Sequence, residues 1–198
     1  MLKLVCFGDS ITARKEGLDT PMLTTKLAEQ LDNFEVINAG VSGNNTVDAI
    51  SRIENDVMKH KPDLVTVWFG ANDAAFHKMV DLNTYKSNMY KITQMIKPER
   101  TILISPAPVD ENVQFARSND VLFDYASAVK QVAVDTGSHF VDCFSEMIAC
   151  DDYPHILKGT RNDGLHFGDK GYDFLVHLLV EKIREASYLA ELNRRSVD

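Results

Sequence analysis

Apolar residues in this chain follow two rhythms that take turns. Short dense runs have the length and β-branched content of buried strands: Leu2-Lys3-Leu4-Val5-Cys6-Phe7, Phe34-Glu35-Val36-Ile37, Leu64-Val65-Thr66-Val67-Trp68-Phe69, Thr101-Ile102-Leu103-Ile104 and Ser138-His139-Phe140-Val141. Between them, apolar positions recur every third or fourth residue, as in Leu23, Leu27 and Leu31, then Ile50, Ile53 and Val57, then Tyr85, Met89, Ile92 and Ile96. Leu122, Tyr125, Val129 and Val132 repeat the pattern, as do Leu175, Leu178, Leu179, Ile183 and Ala186. This spacing predicts helices with one inward face. Punctuation agrees: Thr20 before Pro21 predicts a cap followed by a first-turn proline, Thr46 predicts a second cap, Pro62 and Pro98 stop helices, and Gly137 predicts a left-handed C-cap.

Strict alternation of strand and helix predicts an α/β fold with a parallel sheet covered on both faces, because right-handed crossovers place the helices there. The expected architecture is a three-layer αβα sandwich, flavodoxin-like, with a five-stranded sheet in the order 2-1-3-4-5. That order sets the ends of the first three strands side by side at the switch point, where open sheets keep their sites. The 198 residues suit a single domain over 1–198. Two stretches stand apart: the connection from Asp142 to Lys170 is long and irregular, as functional loops often are, and Asn193 to Asp198 is expected to fray.

Composition narrows the partners. A formal charge of -8, with Lys and Arg scattered through the helices, argues against nucleic acid and anionic membrane. No run approaches the ~18 apolar residues of a membrane span, so no membrane insertion is expected. The run of four apolar residues before Gly8, preceded by one lysine, is too short for a signal peptide, and Cys6, Cys143 and Cys150 are odd in number and lack zinc spacing. A cytoplasmic protein is expected. Oligomeric state is not encoded in any of these features.

Candidate chemistry begins where the first strand breaks off into Gly8-Asp9-Ser10. Ser10 is the candidate nucleophile, and a serine hydroxyl needs a base, a group orienting that base and donors for an oxyanion. Of the six histidines, His60, His139 and His177 lie in regular elements and read as structural, while His77 and His155 lie in loops without a carboxylate placed to orient the ring. His166 has one: in Asp163-Gly164-Leu165-His166 a single turn sets the carboxylate beside Nδ1 and leaves Nε2 free. The backbone N–H of Ser10, the N–H of Gly40 and the side-chain amide of Asn72 are the candidate oxyanion donors. Taken singly each has a plain alternative, with Ser10 as a helix cap, Gly40 and Gly43 as turn glycines, Asn72 and Asp73 as caps, and Asp163 and His166 as a solvated loop. Their joint occurrence at one sheet edge favours the catalytic reading.

Four blocks in order, Gly8-Asp9-Ser10, the glycine turn at Gly40, Gly70-Ala71-Asn72-Asp73, and Asp163 with His166 followed by Gly171, resemble the SGNH (GDSL) hydrolase family over residues 4 to about 180. Phe69-Gly70-Ala71-Asn72-Asp73-Ala74 and Ile104-Ser105-Pro106-Ala107-Pro108-Val109-Asp110-Glu111 are similar to the branch containing isoamyl acetate-hydrolysing esterases. The resemblance implies a serine carboxylester hydrolase, with Ser10 as nucleophile, His166 as base, Asp163 as its partner, Ser10, Gly40 and Asn72 as donors, and no cofactor or metal. Its substrate would be a small ester with a short acyl or acetyl group.

Other readings are a thioesterase or lysophospholipase of the same family, a non-catalytic binding module, and a metal-assisted phosphoesterase using Asp9, Asp73, Asp163 and His166. The Gly-x-Ser-x-Gly elbow of another hydrolase fold is absent, since Ser42 is followed by Gly43 and Asn44.

Overall fold

The computed structural model describes residues 1–195, and side chains through residue 190. Five strands, β1 (Leu2–Gly8), β2 (Phe34–Gly40), β3 (Leu64–Trp68), β4 (Thr101–Ile104) and β5 (His139–Val141), form one all-parallel sheet in the order β2-β1-β3-β4-β5. The helices are α1 (Ser10–Ala13), α2 (Met22–Gln30), α3 (Thr46–Asp56), α4 (Leu82–Ile96), α5 (Asn119–Thr136), α6 (Cys143–Ile148) and α7 (Asp169–Arg195). Contacts group α1, α2 and α7 together, and α3, α4 and α5 in series, which gives the two helical layers of the expected sandwich.

The stripes read from the sequence are the faces that the sheet buries. Leu23, Leu27, Ile53, Val57, Tyr85, Met89, Ile92, Leu122, Val129, Val132, Leu175, Leu179 and Ile183 are all essentially inaccessible. Each such side chain removed from water contributes about 1.5–3 kcal/mol, so the layers are held by the same residues that set the helical period. Strands β1 and β3 are apolar on both faces, with Leu4, Val5, Cys6, Phe7, Leu64, Val65 and Val67 buried, as central parallel strands require.

Several local expectations are corrected. The cap of α2 is Pro21, one residue later than the expected Thr20. Thr46 is the first residue of α3, and Asn45 is the cap: its Oδ1 accepts from the N–H groups of Val47 and Asp48 while Asp48 reaches back to the Asn45 N–H. Thr46 is drawn inward instead, giving both its N–H and its hydroxyl to Asp73 Oδ1, at 2.9 and 2.5 Å.

The connection after β5 is not featureless, because Asp142 caps α6 through the Ser145 N–H, Phe144 and Met147 are buried, and a 3-10 turn follows at His155–Leu157. Fraying does not begin at Asn193, since α7 stays helical through Arg195; residues 196–198 lie outside the described residues.

Candidate active site

β1 ends in register with its two neighbours, Gly8 opposite Gly40 on β2 and opposite Trp68 on β3, so three chain segments leave the sheet at one edge. Asp9 turns the first of them into α1. Its Oδ1 accepts from the Ile11 N–H at 2.9 Å, an N-cap that places Ser10 at the first helical position. The N–H of Ser10 therefore belongs to the turn whose donors have no intrahelical acceptor.

The far end of the chain supplies the imidazole. Ser10 Oγ lies 2.8 Å from His166 Nε2, across 156 positions of sequence, and His166 Nδ1 lies 2.8 Å from Asp163 Oδ2. With a carboxylate at Nδ1, the neutral ring carries its proton there and Nε2 accepts from the serine hydroxyl. Asp163 is itself fixed, because its Oδ1 accepts from the N–H groups of Leu165 and His166 at 3.1 and 3.0 Å. Gly164 makes this wrap possible: its φ is +70°, and a Cβ there would fall 2.6 Å from Val113 Cγ2 and 2.8 Å from the Asp110 carbonyl.

Electrostatics follow burial. His166 is only 7% exposed, and desolvation pulls its pKa below the usual 6.5 against the upward pull of Asp163. Asp163 feels burial upward, but the N–H groups and ring of His166 outweigh it and hold the carboxyl below its usual value. At neutral pH the pair is therefore a neutral imidazole beside a carboxylate, the state able to take a proton. Asp9, 3% exposed, is pushed up to about 7, chiefly by burial.

Gly40 and Asn72 reach the same edge, and both already have acceptors. The Gly40 N–H donates to Asn38 Oδ1 at 3.0 Å, and Asn72 Nδ2 donates to the Asn44 carbonyl at 2.9 Å, with Asp9 Oδ2 at 3.3 Å. Glycine is required at 40 for a reason the sequence does not show. A Cβ there would lie 2.5 Å from the Ala13 nitrogen and 2.8 Å from the Thr12 carbonyl carbon, so the missing side chain lets α1 pack onto β2.

The remaining histidines stay out. His77, His155 and His177 are exposed, His60 sits in a 3-10 turn, and His139 lies half-buried on β5. The four residues of the metal reading also separate by partner, with Asp73 on Thr46, Asp9 on Ile11 and Asp163 on His166. Among the described residues, no group of three or more His, Cys, Asp or Glu side chains is arranged to hold a metal ion.

Two arginines were not singled out by sequence reasoning. Arg52 on α3 gives Nη2–H to the Gly8 carbonyl, Nη1–H to the Ala39 carbonyl and to Asp56, and Nε–H to Asn44 Oδ1, while its guanidinium lies 4.5 Å over the Phe7 ring. It ties together the ends of β1 and β2 and the loop that Asn72 contacts. Arg117 gives Nε–H to the carbonyl of Ala71, the residue before Asn72, at 2.7 Å. A single charged residue on a polar helix face or in a polar loop carries no periodic mark, so only the tertiary structure exposes these roles.

The profile of the GDSL-like Lipase/Acylhydrolase family matches residues 6–174. A human protein, isoamyl acetate-hydrolyzing esterase 1 homolog, is 34% identical over 91% of this chain and 82% of its own length. The acetylxylan esterase of Geobacillus stearothermophilus is 33% identical over 91% and 93%.

Among solved structures, a lipase/acylhydrolase from Enterococcus faecalis superposes with a TM-score of 0.87 at 30% identity, over 93% of this chain and 96% of that one. Two catalytic mutants of the Geobacillus enzyme, one serine-to-alanine and one histidine-to-alanine, superpose with TM-scores of 0.77 at 26% and 27% identity, each over 92% of this chain and 94% of that one. With the fold, the four ordered blocks and these similarities in agreement, the chain belongs to the GDSL-like lipase/acylhydrolase family of serine ester hydrolases.

Proposed function

We propose that Ser10, His166 and Asp163 carry out ester hydrolysis through an acyl-Ser10 intermediate. The observation that carries the reading is the unbroken chain of two 2.8 Å contacts from the serine hydroxyl through the imidazole to the carboxylate. Ser10 Oγ attacks the ester carbonyl as its proton passes to His166 Nε2; Asp163 holds the ring in place and stabilises the imidazolium. The tetrahedral intermediate collapses as His166 protonates the leaving alcohol, and water then repeats the sequence on the acyl-enzyme. No cofactor enters these steps.

The N–H groups of Ser10 and Gly40 and the amide of Asn72 act as oxyanion donors in this reading. Gly40 then shares its N–H between Asn38 Oδ1 and the oxyanion, and Asn72 turns toward the oxyanion the N–H that faces Asp9 at 3.3 Å. The long Asp9 contact is the weaker of the two that Asn72 makes, so it is the one given up.

The substrate we propose is a small ester with an acetyl or other short acyl group. The names of the relatives, acetylxylan esterase and isoamyl acetate-hydrolyzing esterase 1 homolog, share acetyl esters while differing in the alcohol. Residues 1–198 act as one hydrolase domain. No described helix is long and apolar enough to cross a membrane, and the charge of -8 disfavours polyanions. A cytoplasmic setting suits the free thiols of Cys6, Cys143 and Cys150.

The direct test is labelling with a serine-directed phosphonate. Intact mass should rise by one adduct in the folded protein and not in Ser10→Ala. An unlabelled wild-type protein, or equal labelling of the variant, defeats the assignment.

A further inference from the structure

Arg117 is 5% exposed, yet its hydrogen bonding is far from complete. Guanidinium has five N–H donors and remains charged at any ordinary pH. Only Nε–H is used, on the Ala71 carbonyl at 2.7 Å; among the described residues Nη1 and Nη2 have neither a hydrogen-bond acceptor nor a carboxylate at ion-pair distance. A cation on a packed residue normally finds protein partners, because desolvated charge without them is costly; neither Nη of Arg117 is closed off from solvent without one, so the fork opens to water instead. Arg52, the other arginine at this edge, obeys that rule with four protein acceptors.

The loop that carries Arg117 is docked on both sides of the reacting groups. Gln114 Nε2 donates to the Asp163 carbonyl at 3.2 Å, and the Asp110 N–H donates to the Gly164 carbonyl at 2.9 Å. On the other side the Ala116 carbonyl accepts from the Phe76 N–H at 2.8 Å, beside the Arg117 bond to Ala71. The guanidinium thus sits between the Asn72 turn and the Asp163–His166 turn, and its charge acts on both Asp9 and Asp163. Its stem is pinned at Nε, which fixes the direction of the unused fork.

We propose that Arg117 contacts the substrate, its free Nη donors taking a second oxygen of the ester beyond the scissile group and so favouring acceptor-bearing esters over plain alkyl esters. The acceptor is either a carboxylate in the acyl part or a hydroxyl in the alcohol part; both present oxygen lone pairs to the fork. This inference rests on the esterase reading of Ser10 and His166. It adds a specificity residue that the four family blocks leave out.

The test compares kcat/KM on butyl acetate, glyceryl monoacetate and monoethyl succinate for wild type, Arg117→Met and Arg117→Lys. Arg117→Met also loses the Nε bond to Ala71, a loss common to all three esters that butyl acetate reads; on one of the two acceptor-bearing esters it should lose about 10-fold or more beyond that, the scale of a hydrogen bond to a charged donor. The ester that suffers identifies the acceptor as hydroxyl or carboxylate. Arg117→Lys keeps the buried cation without the fork; it should fold and recover the carboxylate ester in part and the hydroxyl ester little.

Equal losses on all three esters would show that Arg117 acts only through Ala71 and Asn72, and no loss on any would remove it from the site; either overturns the proposal. If Arg117→Met does not fold, the selectivity of Arg117→Lys decides alone. Wild-type turnover and the phosphonate adduct at Ser10 are measured beside these assays. Their absence would count against the esterase reading, whereas unchanged selectivity with both present counts against Arg117.

Discussion

The two halves of the candidate site are prepared to different degrees. On one side, Asp163, His166 and Ser10 are joined by contacts of 2.8 Å, and the carboxylate is further fixed by two backbone N–H groups. On the other, the donors of Gly40 and Asn72 are spent on Asn38, Asn44 and, weakly, Asp9. In the proposed reaction, proton transfer needs no rearrangement, whereas oxyanion binding needs donors to be shared. Protein acceptors hold those donors in place while the pocket is empty, and a full negative charge competes for them better than a neutral amide oxygen does. One half is finished by folding and the other by the reaction.

The comparison breaks most visibly at Ser10. Ser10→Ala should reduce kcat by about 10⁴-fold or more, since no other group beside His166 Nε2 is shown to supply the acyl acceptor. Its melting temperature should stay near that of wild type, because the half-buried hydroxyl contributes one hydrogen bond. Turnover within tenfold of wild type would end the account.

Asp163→Asn comes next, with kcat falling by about 10² to 10⁴ through loss of ring orientation. Its pH profile is the sharper measurement. Activity requires neutral His166, whose pKa burial already lowers below 6.5 and Asp163 partly raises again. The acid limb of kcat/KM in wild type should therefore lie below pH 6.5, and removing the carboxylate should move it lower still. A limb that moves upward contradicts the neutral-imidazole, ionised-carboxylate state.

Asn72→Ala tests the shared-donor half and should lower kcat by about 10² to 10³ with little change in KM, the mark of an interaction made mainly in the transition state. A change confined to KM would assign the amide to ground-state binding.

The smallest effect concerns stability alone. Burial raises Asp9 from 3.8 to about 7, so the folded state holds a proton that the unfolded chain releases earlier, and stability is lost as pH climbs through that window. Asp9→Asn keeps a good capping side chain without the ionisation. Its melting temperature relative to wild type should rise between pH 4 and pH 8, and scanning calorimetry at several pH values reads this directly. A flat difference would mean that the Asp9 charge costs the fold nothing.

Much of this was legible because strands and helices here obey separate periods and are well punctuated. The sheet order and the Asp163-to-His166 spacing were both readable, the second because three residues bring a carboxylate under an imidazole only if the chain turns, and Gly164 permits that turn. Gly40 was identified by its position but for an incomplete reason: glycine there answers to the backbone of α1. The cap of α3 was misplaced by one residue because Asn45 and Thr46 are both good caps, and the buried carboxylate of Asp73 claims the threonine. Arg52 and Arg117 were invisible because their partners are backbone carbonyls, which every sequence has everywhere.

Helix α7, which follows the imidazole, is clasped onto the turn that carries Ser10. The hydroxyl of Tyr172, on the last helix, donates to the carbonyl of Ile11 at 2.6 Å, directly beside the serine, and Glu16 accepts from the Thr160 N–H at 2.8 Å from the same side. During synthesis on the ribosome, a chain that has already laid down all five strands still lacks the imidazole and the clasp that seats it. With Ser10 and His166 in the roles proposed for them, the nascent protein stays chemically silent until the segment carrying His166 and Tyr172 has emerged.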